Sequence, residues 1–128
     1  MRLLLDTQIV IWAATDDPRL NAAGRALIGD VSNQIIVSVI SLWEVAIKFA
    51  LGRADFRHSA ADLRSGMLRV GWEELDMTGE HALAVSELPD IHSDPFDRIL
   101  LAQARWENMT LLSADRMLWR YGDPVRRV

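Results

Sequence analysis

Four carboxylates stand where chain elements should begin or end: Asp6, Glu44, Asp97 and Asp115. Asp6 closes the apolar opening run Leu3-Leu4-Leu5, and Glu44 lies three residues into an apolar helix. Asp97 opens a second helix together with Asp94, in the phrase HSDPFDRILLAQA at positions 92 to 104, and Asp115 follows a short apolar strand. Acids far apart in sequence but carried on strand ends and helix starts can converge in space. Such a cluster repels itself unless a cation neutralises it. The cation natural to an all-oxygen site is Mg²⁺, with Mn²⁺ as a substitute. The chemistry in view is that of a metal-dependent enzyme.

Each acid also has a purely structural explanation. Ser41-x-x-Glu44 has the form of a capping box, and Glu44 with Lys48 makes a favourable i,i+4 pair. Asp94-Pro95-x-Asp97 reads as a helix start with Asp at the N-cap, Pro at N1 and Asp at N3. Ser113 is placed to cap a last helix with Asp115 in its first turn. Asp6 differs, because it follows three leucines, caps no evident helix and is poor strand material. Its structural alternative is an Asx-turn with Thr7 and Gln8. Capping and metal binding are compatible, since amide dipoles at a helix start favour the ionised carboxylate that a hard cation requires.

The elements that must position these acids alternate between strand and helix. Strands are expected at Leu3 to Leu5, Gln34 to Ser38, Val70 to Leu75 and Thr110 to Ser113, with an edge strand in the tail at Val125 to Val128. QIIVS at 34 to 38 is continuously apolar within, as a strand buried on both faces should be. Helices are expected at Ala22 to Ile28, Ser41 to Leu51, Ala60 to Leu68, Thr78 to Leu88 before Pro89, Asp94 to Glu107, and Asp115 to Trp119. A polar turn is expected around Asp16-Asp17-Pro18. This alternation gives an α/β sandwich with a mainly parallel sheet, in which ligands bind outside the carboxyl ends of the strands.

Composition narrows the function. The 128 residues make one domain, 1–128, long enough to bury a core without staples. With no cysteine, disulfides, thiolate metal sites and cysteine nucleophiles are excluded. No apolar run approaches the roughly 20 residues of a membrane span. Asp6 interrupts the apolar N-terminus and no small-residue cleavage site follows, so the expectation is a cytoplasmic protein. The formal charge of −4 argues against general adhesion to nucleic acid, yet not against a local basic rim. Positive charge is carried by thirteen arginines and the single Lys48.

Taken in order, MRLLLDTQIVIWA, VSVISLWEVAIK, HSDPFDRILLAQA and LLSAD resemble the PIN-domain ribonucleases, most nearly the toxin subunits of VapBC-type toxin–antitoxin pairs. The resemblance spans essentially the whole chain, and DPFDR with the flanking LLAQA is its most specific part. It implies a three-layer sandwich, a central mainly parallel sheet flanked by helices, with acids gathered at the strand ends. It implies Mg²⁺- or Mn²⁺-dependent hydrolysis of RNA by a metal-activated water, leaving 5′-phosphate and 3′-hydroxyl ends. Carried over residue by residue, Asp6, Glu44, Asp97 and Asp115 match the catalytic, metal-binding acids. Asp94 matches the first acid of DPFDR and organises the helix start. Thr7 and Ser113 match hydroxyls that orient a carboxylate or a water on the ion. Arg98 directly follows Asp97, where it can contact the scissile phosphate or brace the acids. Gln8 departs from the pattern, standing where close relatives often have His.

The partners the resemblance implies are an RNA substrate, a cognate antitoxin laid in a groove, and a second copy of the chain. Assemblies would then be a homodimer, or a heterotetramer or larger with antitoxin. The helix from Ser41 to Leu51 is apolar nearly all round, which calls for burial on more than one side. His58, His81 and His92 are scattered on expected surface segments, and only His92 lies near the acids. The five tryptophans are expected mainly in the core rather than as RNA-stacking platforms. A receiver-type phosphoacceptor domain would need a paired acid after strand one and a lysine after the fifth strand, which the single Lys48 does not supply. A catalytically silent PIN module that binds RNA or a partner is the remaining alternative.

Overall fold

The computed structural model describes residues 1–128. Five strands, β1 (Arg2–Leu5), β2 (Gln34–Ser38), β3 (Glu73–Leu75), β4 (Thr110–Ser113) and β5 (Val125–Arg127), form one sheet in the order β3-β2-β1-β4-β5. Every neighbouring pair is parallel. Parallel pairing demands crossovers, and helices supply them. α1 (Thr7–Ala14) and α2 (Ala22–Gly29) lead from β1 to β2, and α3 (Val39–Ala50) and α4 (Ala60–Arg69) from β2 to β3. α5 (Gly79–Ala84), a 3₁₀ turn (Val85–Glu87) and α6 (Pro95–Trp106) lead to β4, and α7 (Arg116–Trp119) leads to β5. No helix is long and apolar enough to cross a membrane.

The period of two in a strand sorts the central leucines onto the two faces. Leu4, Ile36 and Leu111 point to one side, where Leu100, Leu101 and Ala104 of α6 cover them. Leu3, Leu5, Ile35, Val37 and Leu112 point to the other, against Ile9 and Val10 of α1 and Met67 of α4. β1 is buried on both faces and paired on both edges, so the residues that follow it are held on a rigid base.

The structure corrects several expectations. The segment after Asp6 is a helix, α1, where sequence suggested none, and Asp6 is its N-cap, accepting the Ile9 amide at 2.9 Å. TQIVIWAA hid the helix because its buried residues run consecutively, Thr7 and Ile9 to Ile11, with no polar face to mark a period of 3.6. Ser38, not Ser41, caps α3, so the capping box at Ser41 and Glu44 does not form. Both residues lie a turn deeper and point inward. Asp115 caps α7 in place of Ser113. The third strand starts at Glu73 rather than Val70, because Val70 ends α4 and Gly71, at φ 89°, reverses the chain. His81 is fully buried, pairing with Glu107 at 2.8 Å. None of the tryptophans is fully buried, and Trp43 and Trp106 are more than half exposed. A side chain of that size rarely finds complete cover in a small domain.

Candidate metal centre

Strand order runs outward in both directions from the β1–β4 pair, and the carboxyl ends of these strands form the switch point at which open parallel sheets bind ligands. A pocket of about 270 Å³ opens there, lined by Asp6, Glu44, Asp94, Asp97 and Asp115 together with Thr7, Gln8, Trp12, Lys48 and Ala114. All four expected catalytic acids therefore face one cavity. Each arrives on a different element: Asp6 at the end of β1, Glu44 inside α3, Asp97 in the first turn of α6, and Asp115 just past β4.

Hydroxyl groups fix the inner wall. Asp6 Oδ2 accepts a short hydrogen bond from the Ser113 hydroxyl, and Ser113 Oγ accepts the Asp115 amide at 3.0 Å. That relay ties the ends of β1 and β4 together through side chains. The Thr7 hydroxyl lies 2.6 Å from Glu44 Oε1 and 3.0 Å from the Ser41 hydroxyl. With one hydrogen to give, Thr7 donates to the carboxylate and accepts from Ser41. Glu44 Oε2 takes Lys48 as its ion-pair partner one turn along α3. Asp6, Thr7, Ser113 and Glu44 are all buried.

The outer wall is built at the start of α6. Asp94 Oδ1 accepts the Phe96 amide at 2.9 Å and the Asp97 amide at 3.4 Å, an N-cap that points Asp97 across the pocket. His92 Nε2 stands 2.9 Å from Asp97 Oδ2 and 3.2 Å from Asp115 Oδ2. Ligand-capable atoms of His92, Asp94 and Asp97 all lie within 4.8 Å of one another. Asp6, Glu44 and Asp115 share the pocket without joining that tight group; Ser113 holds an oxygen of Asp6, and Thr7 and Lys48 hold those of Glu44.

The charge state follows from this crowding. Burial pushes the Asp6 carboxyl up to about 6, and the charges of Asp115 and Glu44 add to the rise against the lowering hydrogen bonds from Ser113 and Ile9. Burial likewise drives Asp97 up, to about 9, reinforced by Asp94, Asp6, Asp115 and Glu44. Carboxylates that cannot all ionise together are short of positive charge, and Lys48 supplies one unit at the Glu44 corner only. A hard divalent cation fits this donor set.

Arg98 does not line the pocket. Its guanidinium donates to the carbonyls of Val85, Pro89 and His92 and to the Tyr121 hydroxyl at 3.1 to 3.3 Å. It clamps the loop before α6, whose residue His92 contacts two of the acids. Sequence reasoning underrated His92 and Lys48. The signals were present: His92 stands two residues before the helix cap, and Lys48 one turn after Glu44. Gln8 and Trp12 also line the pocket, with buried Oε1 and Nε1 atoms that find no partner.

The fold has known counterparts. The chain belongs to the PIN-domain family, whose model matches residues 3–124. Among solved structures it is similar to VapBC2 from Rickettsia felis bound to a promoter DNA fragment, at 17% identity over 99% of this chain and 98% of that one, TM-score 0.68. It is also similar to VapBC-1 from nontypeable Haemophilus influenzae (19% identity, 100% and 97% covered, TM-score 0.66). A toxin–antitoxin complex from Klebsiella pneumoniae matches at 21% identity, 97% and 95% covered, TM-score 0.66. No curated relative matches the chain in sequence. At such identities the structural likeness speaks for the fold.

Proposed function

We propose that the chain is a Mg²⁺- or Mn²⁺-dependent endoribonuclease, the toxin component of a toxin–antitoxin pair. The observation that carries this reading is the meeting of Asp6, Glu44, Asp97 and Asp115 in one pocket at the switch point of the sheet. Membership of the PIN-domain family supports it, as do structural neighbours that are VapBC and other toxin–antitoxin complexes.

In this reading the four acids hold the cation. When bound, the cation makes a water more acidic and stabilises charge that develops on the phosphoryl oxygens. The chain's own residues do the rest. Ser113 and Thr7 turn the lone pairs of Asp6 and Glu44 so that one oxygen of each is committed to a hydroxyl and the other orientation is fixed. Lys48 holds the second Glu44 oxygen and brings the pocket's one ammonium group beside an incoming phosphate. Asp94 fixes the start of α6 and thereby the reach of Asp97. Exposed Trp43 (56%) and Phe49 (44%) on α3, with Leu51 (65%) beyond its end, support a protein partner. The partners proposed are a cognate antitoxin and a second copy of the chain, acting with it in the cytoplasm.

The test is cleavage of single-stranded RNA by the purified chain with Mg²⁺ or Mn²⁺, with chelator, and by Asp6→Asn. Cleavage that needs metal and vanishes in Asp6→Asn, while circular dichroism shows the fold kept, is the expected result. Undiminished cleavage by Asp6→Asn breaks the assignment, and no cleavage of any RNA by the wild-type chain favours the silent binding module.

A further inference from the structure

We infer that the face formed by α7 and β5 is a track for the backbone of the single-stranded RNA that flanks the scissile bond, with Arg116 and Arg127 beside the pocket and Arg105 and Arg126 beyond it. The inference rests on the metal-nuclease reading above and adds to it the surface that holds the substrate. Residues 116 to 128 contain four arginines and one acid, Asp123, in a chain whose formal charge is −4. All four arginines are exposed. The ion pairs of the fold tie Arg19, Arg25, Arg64 and Lys48 to acids, and none involves residues 116 to 128.

The basic segment starts at the pocket. Arg116 directly follows Asp115, which lines it, and Arg127 is the strand partner of Ser113, whose hydroxyl binds Asp6. The Trp119 indole donates from Nε1 to the Ser113 carbonyl at 2.8 Å, and the Arg127 guanidinium lies over its ring at 5.0 Å. Stacking uses the flat face of a guanidinium and leaves its N–H edge to donate, which suits the grip on a phosphate. Arg127 is thus held next to the acids through a ring that is itself pinned to the end of β4. From there an open cleft of about 810 Å³ continues along β5 and the end of α6, where Arg105, Asn108, Arg126 and Arg127 line it together with Asp123. None of the exposed large apolar side chains lies between residues 107 and 128. The core of a protein interface is depleted of charge and rich in aromatic side chains, whereas nucleic-acid interfaces are polar and strongly basic. This face has the second character.

The experiment measures binding of a short fluorescein-labelled single-stranded RNA to the full chain by anisotropy, over a salt series with chelator present, so that cleavage plays no part. Each phosphate contact on a single strand adds about 0.7 to the slope of log affinity against log salt. Arg116→Gln/Arg127→Gln should therefore lower that slope by about 1.4 and weaken binding on the order of tenfold at about 0.1 M salt. Arg116→Gln alone should lower the slope by about 0.7, which keeps the test open if loss of the Arg127 stack disturbs the fold. Arg69→Gln is the control: Arg69 is equally exposed but ends α4 ahead of β3, the opposite edge of the sheet, and its slope should match the wild type. A wild-type chain that does not bind the RNA overturns the inference. So does an equal change in Arg69→Gln, which reports overall charge rather than contact. Unchanged binding by the Arg116 and Arg127 variants also overturns it and leaves the face to an acidic protein partner. Mn²⁺ affinity and metal-dependent cleavage by the wild-type chain, measured beside these, judge the nuclease reading separately: their absence with the salt slopes as expected defeats that reading and keeps the track as a binding surface.

Discussion

Asp6 binds a proton more tightly folded than unfolded, with its carboxyl raised from 3.8 to about 6. Between those values the folded chain carries more protons than the unfolded one, so stability falls as pH rises through the window. Asp97 acts in the same direction over a window reaching about 9. Carboxyls held low, Asp17 by Arg19 and Glu74 by Arg64, exert their effect in more acidic solution and do not oppose this trend. With chelator present, the melting temperature should therefore be lower at about pH 8 than at about pH 5. A melting temperature that climbs over that interval contradicts the buried-acid account. Asp6→Asn should melt higher than the wild-type chain at the alkaline end, because it removes a buried charge while keeping an oxygen for the Ile9 amide. The substitution expected to abolish cleavage is thus also expected to stabilise the metal-free fold. Asp6 was legible as a site residue because nothing local in the sequence explained it. His92 was legible only as a neighbour of the acids, because its contacts with Asp97 and Asp115 depend on a loop held by Arg98 and Tyr121, which no spacing rule encodes.

At the scale of elements, capping and function share the same side chains. Asp6, Asp94 and Asp115 each begin a helix and each line the pocket. Asp94→Ala should cost about 1 kcal/mol in urea denaturation, the usual worth of an N-cap. It should also weaken metal binding, because α6 then loses the anchor of the turn that carries Asp97. A stability loss with unchanged Mn²⁺ affinity would limit Asp94 to its structural part. β1, β2, β4 and α6 were readable because apolar runs bounded by turn residues, or Pro at a helix start, leave one local solution. α1 was not, since Thr-Gln-Ile-Val-Ile-Trp has the β-branched, apolar look of a strand, and only tertiary packing against α3 and the sheet makes it helical. The capping residue of α3 was misplaced by three positions for a related reason. Ser38 and Ser41 are both good caps by type, and the strand's end decides between them.

At the scale of the molecule, a cation should couple to folding. A ligand that binds the folded chain alone raises stability with its concentration. Mn²⁺ or Mg²⁺ should accordingly raise the melting temperature, and more so at about pH 8, above the raised Asp6 value, than at about pH 5. Equal shifts at both values, read by differential scanning fluorimetry, would show binding that does not involve these carboxylates. The parallel sheet with helical layers was legible from the alternation of elements. Its strand order was not, because single-sequence patterns carry no information on which strands lie side by side.

That order has a consequence for synthesis. β1 leaves the ribosome before the other four strands, yet one of its two edges waits for residues 110–113. Until they emerge, the middle of the sheet is an open border and Asp6 has no Ser113 to hold it. A product truncated before residue 110 lacks Ser113 and Asp115, so the pocket takes shape only once β4 and the residue after its end have been made.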